Sequence, residues 1–155
     1  MNCIQSAKDQ VLALTTSAYQ KAAAAGLLPE GVTVTPSVEI PKDTANGDYT
    51  TTFCLAAAKA MKMNPRQVAQ ILTEQMDLTD TYFTSVELAG PGFLNFRLGS
   101  RWFGDTVACV EAEGADYGRN DTLTGKKYMV EFVSANHTGP LHMGKARGGL
   151  LGDTL

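Results

Sequence analysis

The stretch from Met129 to Leu155 constrains the fold most. An apolar run, Met129-Val-Glu-Phe-Val133, leads into a Gly/Pro/His loop, Thr138-Gly-Pro-Leu-His-Met-Gly-Lys145, and a helix-like segment follows. A strand running into a glycine-bearing loop and then a helix is the layout in which α/β folds hold phosphates on backbone N–H groups and a helix N-terminus. The pattern predicts a strand over Lys127–Val133 and then a helix within which the sequence ends, at Leu155. A single strand–loop–helix has no neighbouring strands to cover its apolar faces. Residues beyond about Gly114 are therefore expected to be poorly ordered alone, or to pack against the preceding domain or a second copy.

The residues before this stretch show a different pattern. Ile4, Val11, Leu14, Ala18 and Ala22 recur at helical spacing and predict an amphipathic helix over about Ser6–Ala25, with Gly26 as its C-cap. Val32–Ile40 alternates around Pro36, as a short edge strand would. Pro41–Asp48 is rich in turn residues, and Asn46, Gly47 and Asp48 read as a capped turn into the next helix. That helix spans Thr51–Met61, with Phe53, Ala57, Ala60 and Met61 on one face. Asn64 and Pro65 are the N-cap and first position of another, whose buried stripe is Val68, Ile71 and Leu72. Tyr82–Ala89 and Phe93–Leu98 read as two strands joined at Gly90-Pro91-Gly92, and Ser100 caps a helix through Trp102, Phe103, Val107 and Val110 to about Glu113. Periodicity is lost from Gly114 to Lys127. The reading is an α+β chain: a two-layer domain over 1–113 with helices packed on a small sheet, a linker over 114–126, and a different unit over 127–155.

Composition narrows the function classes. With 44% apolar and 19% charged residues the chain is an ordinary globular one, and its formal net charge of −3 argues against a non-specific nucleic-acid binder. A shape-reading RNA contact through a few well-placed residues stays open. No apolar run approaches the ~20 residues of a membrane span, and the N-terminus lacks a signal-peptide core. Cys3, Cys54 and Cys109 include no CxxC pair and read as free thiols in a reducing compartment, so a cytoplasmic location is expected. His137 and His142 lack metal-ligand spacing, and no protein-bound metal is expected.

Two chemistries compete for the closing loop. Gly139-x4-Gly144-Lys145 has the P-loop spacing, but Ala146 stands where that loop needs a magnesium-binding hydroxyl, and Pro140 removes a backbone donor. The alternative is a His-x-Gly-x element, His142-Met-Gly-Lys145, in which imidazole, ammonium and the helix N-terminus meet ATP phosphates.

The surrounding residues favour the second. Glu131-Phe-Val-Ser-Ala-Asn136, Thr138-Gly-Pro-Leu-His-Met-Gly144, Ala146-Arg-Gly-Gly149 and Leu151-Gly-Asp153 together resemble the arginyl-tRNA synthetase family of class I aminoacyl-tRNA synthetases. Gly47-Asp-Tyr49, Ala58-Lys59, Asn64-Pro-Arg-Gln-Val-Ala69 and Val86-Glu-Leu-Ala-Gly-Pro-Gly-Phe-Leu-Asn-Phe96 look like the N-terminal additional domain of the same family.

The resemblance implies that 1–113 is a tRNA-contacting domain and that 127–155 opens a Rossmann-like catalytic domain. The whole enzyme would join L-arginine to tRNA(Arg) through an arginyl-adenylate, with ATP as substrate and Mg2+ accompanying it. Neither DNA nor a membrane is among the implied partners. His142, Gly144 and Lys145 correspond to the catalytic, ATP-binding signature, although the family most often has a second His where Lys145 stands. Glu131, Ser134 and Asn136 correspond to the arginine pocket; the Glu131 carboxylate suits a cationic amine or guanidinium, and the Asn136 amide supplies both a donor and an acceptor. Phe93 and Asn95 correspond to a contact with the tRNA D-loop. They lie two apart on a strand and so share a face, whereas Phe96 reads as core. His137, where the family often has Pro, reads as a loop residue without a role. A second signature loop is absent, so the chain by itself is expected to be an inactive N-terminal piece. The alternatives are an isolated D-loop-binding module without catalysis and a P-loop-like nucleotide binder.

Overall fold

Among the described residues four antiparallel strands form one sheet, in the order Val38–Glu39, Tyr49–Thr51, Phe93–Leu98, Phe83–Ala89, with three helices packed on one of its faces. The computed structural model describes residues 2–134, 139–140 and 142–154. Its elements are α1 (Cys3–Ala24), β1 (Val38–Glu39), β2 (Tyr49–Thr51), α2 (Phe53–Met61), α3 (Pro65–Gln75), β3 (Phe83–Ala89), β4 (Phe93–Leu98), α4 (Ser100–Glu113) and α5 (Met143–Thr154). The chain divides into two units, Met1–Gly118 and Arg119–Leu155.

Helix α1 begins where the Asn2 side chain accepts the Gln5 N–H. It ends in a Schellman motif: Leu27 N–H bonds Ala22 O, Gly26 N–H bonds Ala23 O, and Gly26 takes φ 71°. Gly26 is thus one residue beyond the cap, which is Ala25. The buried stripe is Cys3, Ala7, Val11, Thr15, Ala18 and Ala22. Ile4, expected inside, lies one position off this stripe and is half exposed. Small residues at Ala7, Ala18 and Ala22 allow close approach, and the one buried hydroxyl of the stripe, on Thr15, donates to Val11 O at 2.7 Å.

Asn64 caps α3 by accepting the Arg66 N–H, and Pro65 opens it, as the sequence indicates. Val68, Ala69 and Leu72 are its buried face. In α2 the buried residues are Phe53, Cys54, Ala57, Ala58 and Met61, while Ala60 faces outward. Helix α4 starts at Ser100, with Gly99 at the cap position and no side-chain capping bond. Of its apolar residues only Trp102 packs against the core, its indole N–H donating to Cys3 O; Phe103, Val107 and Val110 are exposed.

Residues read as a turn into a helix instead lead into a strand. Asp43 caps a 3-10 turn over Thr44–Asn46, Gly47 reverses the chain at φ 93°, and Tyr49–Thr51 then pairs with β4 on one side and β1 on the other. The edge position expected of the Val32–Ile40 segment is found, but only Val38–Glu39 is paired.

Burial pushes the Cys54 thiol up from 9.0 to about 12. A group that binds its proton more tightly when folded contributes stability fully below its unfolded pKa, and that contribution is lost as pH rises towards the folded value. The urea midpoint is therefore expected to fall above pH 9, by at most about 1.4 kcal/mol per pH unit in free energy. Tyr49 and Tyr82, both raised chiefly by burial from 10.0, join the decline at higher pH. Cys54→Ala should flatten the profile between pH 9 and 10; an unchanged slope in that variant would assign the loss elsewhere.

In the second unit α5 forms, but Lys127–Val133 is not a strand. A strand is held by ladder hydrogen bonds to a neighbour, and among the described residues none pairs with this segment. Phe132 and Val133 instead lie beside α5, where a Cβ on Gly152 or Gly149 would meet them at van der Waals contact or closer.

Candidate functional site

The sheet has two unlike faces. Leu94 and Phe96 of β4 point into the helical layer and are fully buried, Phe96 packing edge-on against Phe83 with ring centroids 5.3 Å apart. Phe93, Asn95 and Arg97 alternate with them and take the outer face. There a cavity of about 330 Å³ is lined by Pro41, Asn46, Thr50, Pro91, Phe93 and Asn95, with Ala89 and Gly90 beside them. Phe93 and Asn95, singled out from the sequence, thus line one pocket. Phe93 is half-buried, and Asn95 is 7% exposed.

Three elements build this pocket. The β3–β4 hairpin supplies Gly90-Pro91 and Phe93; its tip lies against the start of α3, where a Cβ on Gly92 would stand 2.8 Å from Pro65 Cβ. The 43–47 loop supplies Asn46 and is tied to the sheet by Arg97, whose guanidinium donates to Ala45 O at 2.7 Å and lies 3.8 Å from the Glu87 carboxylate. Strand β2 supplies Thr50, directly opposite Asn95 in the β2–β4 register. Its Oγ1 is buried and has no hydrogen-bond partner among the described residues. Sequence reading missed β2 and so missed Thr50; only the cross-strand pairing reveals it.

The closing loop is organised locally by its histidine. His142 Nδ1 accepts the Gly144 N–H at 3.2 Å, and His142 O accepts the Lys145 N–H at 2.9 Å, so the residue caps α5. An imidazole accepting at Nδ1 carries its proton on Nε2, which leaves Nε2–H to donate to a ligand. A Cβ at Gly144 would stand 3.1 Å from the imidazole ring, so the glycine lets His142 take this position. The Gly144 N–H is engaged by His142, whereas a phosphate-cradling P-loop would need it free. His142 and Lys145 line an open cavity of about 440 Å³ with Val133, Met143, Ala146 and Gly149.

Glu131 and Ser134 also meet, the Ser134 hydroxyl donating to Glu131 Oε1 at 2.5 Å. Asn136, expected beside them, and His137 lie outside the described residues. Among the described residues no three His, Cys, Asp or Glu side chains come together to hold a metal ion, and no helix is long and apolar enough to cross a membrane.

Comparison with known proteins identifies the family. The model of the family described as arginyl tRNA synthetase N terminal domain matches residues 11–98. An arginine–tRNA ligase of Acetivibrio thermocellus is 45% identical over 154 residues, covering 99% of this chain and 27% of the relative. One of Staphylococcus carnosus is 37% identical over 155 residues, covering 100% of this chain and 27% of its own length. The chain thus spans about a quarter of the curated relatives it matches. The crystal structure of arginyl-tRNA synthetase from Plasmodium falciparum superposes with a TM-score of 0.59 at 16% identity, over 99% of this chain and 28% of the other, a likeness of fold. With the family match spanning α1 through β4, this mixed helix and antiparallel-sheet chain belongs to the arginyl-tRNA synthetase family, in the part formed by its N-terminal domain.

Proposed function

We propose that Met1–Gly118 contacts the D-loop of tRNA(Arg) through the outer-face pocket, and that the second unit contributes to the site where ATP and L-arginine react. The pocket carries the first half of this reading. Phe93 and Asn95 are held on the sheet, outside the helical core, around a cavity whose lining is uncharged. An aromatic face for stacking and an amide for hydrogen bonding are what recognition of an unpaired base requires.

In the second unit, the Nε2–H of His142 and the Lys145 ammonium are the donors suited to ATP phosphates, beside the N-terminus of α5. Glu131, one oxygen of which is held by Ser134, suits the cationic groups of arginine, and Asn136 is assigned to the same pocket. The reaction proposed for the whole protein joins a carboxylate oxygen of arginine to the α-phosphorus of ATP and expels pyrophosphate. The arginyl group then passes to a 3′-terminal ribose hydroxyl of tRNA, and AMP leaves. Mg2+ would enter as the counter-ion of ATP, neutralising phosphate charge. The residues described provide no cage for it. We place this activity in the cytoplasm, in keeping with cysteines that form no disulfide among the described residues.

Titration of tRNA(Arg) at low salt tests the pocket. Phe93→Ala is expected to weaken binding about ten-fold, since stacking on one aromatic side chain contributes roughly 1–3 kcal/mol, and Asn95→Ala by a similar factor through loss of a base-edge hydrogen bond. Footprinting should place the lost protection on the D-loop. Unchanged affinity in Asn95→Ala would remove the basis for the reading.

A further inference from the structure

We infer that Thr50 determines specificity in the outer-face pocket, its hydroxyl hydrogen-bonding the edge of the base that Phe93 stacks and Asn95 reads. This rests on the base-binding reading of the pocket. The observation behind it is Thr50 Oγ1, buried without a partner among the described residues, on a residue that lines the cavity.

Other threonines show how such a hydroxyl is ordinarily satisfied. Thr51, the next residue, donates to Ser37 O and accepts the Phe53 N–H. Thr15, Thr73 and Thr106 each donate to the carbonyl four residues earlier. Thr50 makes none of these bonds among the described residues, although strand residues such as Thr51 and Thr84 do. Valine has nearly the same shape and a higher strand preference, and it would fill the position without an unpaired polar atom. The hydroxyl therefore costs stability in the free protein and recovers it only when a ligand atom pairs with it.

Position and charge indicate the ligand. Thr50 stands opposite Asn95, at the roughly 4.5–5.5 Å separation of directly paired strand residues. One planar edge can meet both, while the Phe93 ring packs on the ligand's face. Asn46 adds a second amide, and no lysine or arginine is among the lining residues. That favours a neutral heteroaromatic ring over a phosphate. A hydroxyl that can donate or accept, beside an amide offering one of each, distinguishes bases by the order of donors and acceptors along their edge.

The test uses the 155-residue chain and four tRNA(Arg) transcripts that differ only in the protected D-loop base: A, C, G or U. Thr50→Val should raise the melting temperature, lower affinity for the preferred transcript about ten-fold and flatten the preference among the four. Thr50→Ser, which keeps the hydroxyl, should restore both affinity and preference. If Thr50→Val keeps wild-type affinity and preference while Asn95→Ala weakens binding, the role of Thr50 is overturned and the pocket stands. If Thr50→Ser binds no better than Thr50→Val, the hydroxyl does not carry the affinity and the inference fails. If neither Thr50→Val nor Asn95→Ala changes binding, the base-binding reading fails and this inference falls with it.

Discussion

Phe96→Ala is expected to cost about 3–5 kcal/mol, the range for emptying a fully packed aromatic site, and to leave the first unit largely unfolded at moderate temperature. Phe96 is 0% exposed and packs on Phe83. It lies on β4, which is paired on both sides, by β2 and β3. Its backbone oxygen also accepts the Asp48 N–H at 2.8 Å, so collapse around the cavity would disturb the entry to β2. Against a typical domain stability of roughly 5–15 kcal/mol, a loss of this size is decisive. The urea midpoint should drop steeply, with little change in the slope of the transition. Phe93→Ala, three residues earlier on the opposite face, should cost less than half as much while weakening tRNA binding. Equal destabilisation by the two substitutions would mean that Phe93 is also core, and the pocket would lose its aromatic floor.

The division between these phenylalanines was legible from strand alternation, as was the hairpin, because both are local. So were the Asn64-Pro65 start of α3 and the shared face of Phe93 and Asn95. Strand β2 was not legible. Tyr49–Thr51 is three residues long and abuts a helix, and its extended conformation is fixed by pairing with Leu94–Phe96, far along the chain. Thr50 enters the pocket only through that pairing. The buried side of α1 was misphased at its start because Cys3 and Ala7 carry less apolar signal than Ile4, yet fit the close contact that α1 makes with α3. In α4 the stripe was read correctly as apolar, but periodicity reports an apolar face and says nothing of what covers it. Phe103, Val107 and Val110 are exposed. The same limit applies to Lys127–Val133, whose strand-like composition finds no partner strand among the described residues.

Gly47→Ala should be nearly as damaging as loss of the Phe96 ring, for a backbone reason. Gly47 has φ 93° and ψ −168°, a conformation nearly restricted to glycine and costing other residues roughly 1–3 kcal/mol. An added Cβ would also stand 2.8 Å from Phe96 O. That oxygen belongs to the doubly paired strand β4 and is held by the Asp48 N–H, so it is the loop that must move. The combined cost is expected to be about 3 kcal/mol or more, the upper range for strain plus overpacking. Gly26→Ala is the matching control: its φ of 71° is also left-handed, but nothing lies within 4 Å of the added carbon. It should cost only about 1 kcal/mol, and the difference between the variants isolates the steric contact with β4. Displacing the 43–47 loop also moves Asn46 out of the pocket lining and breaks the Arg97–Ala45 tether. Gly47→Ala protein that remains folded at low temperature should therefore bind tRNA more weakly than Gly26→Ala protein. Equal melting temperatures for the two would show that the loop accommodates the carbon without leaving the strand, and the link between this turn and the pocket would be lost.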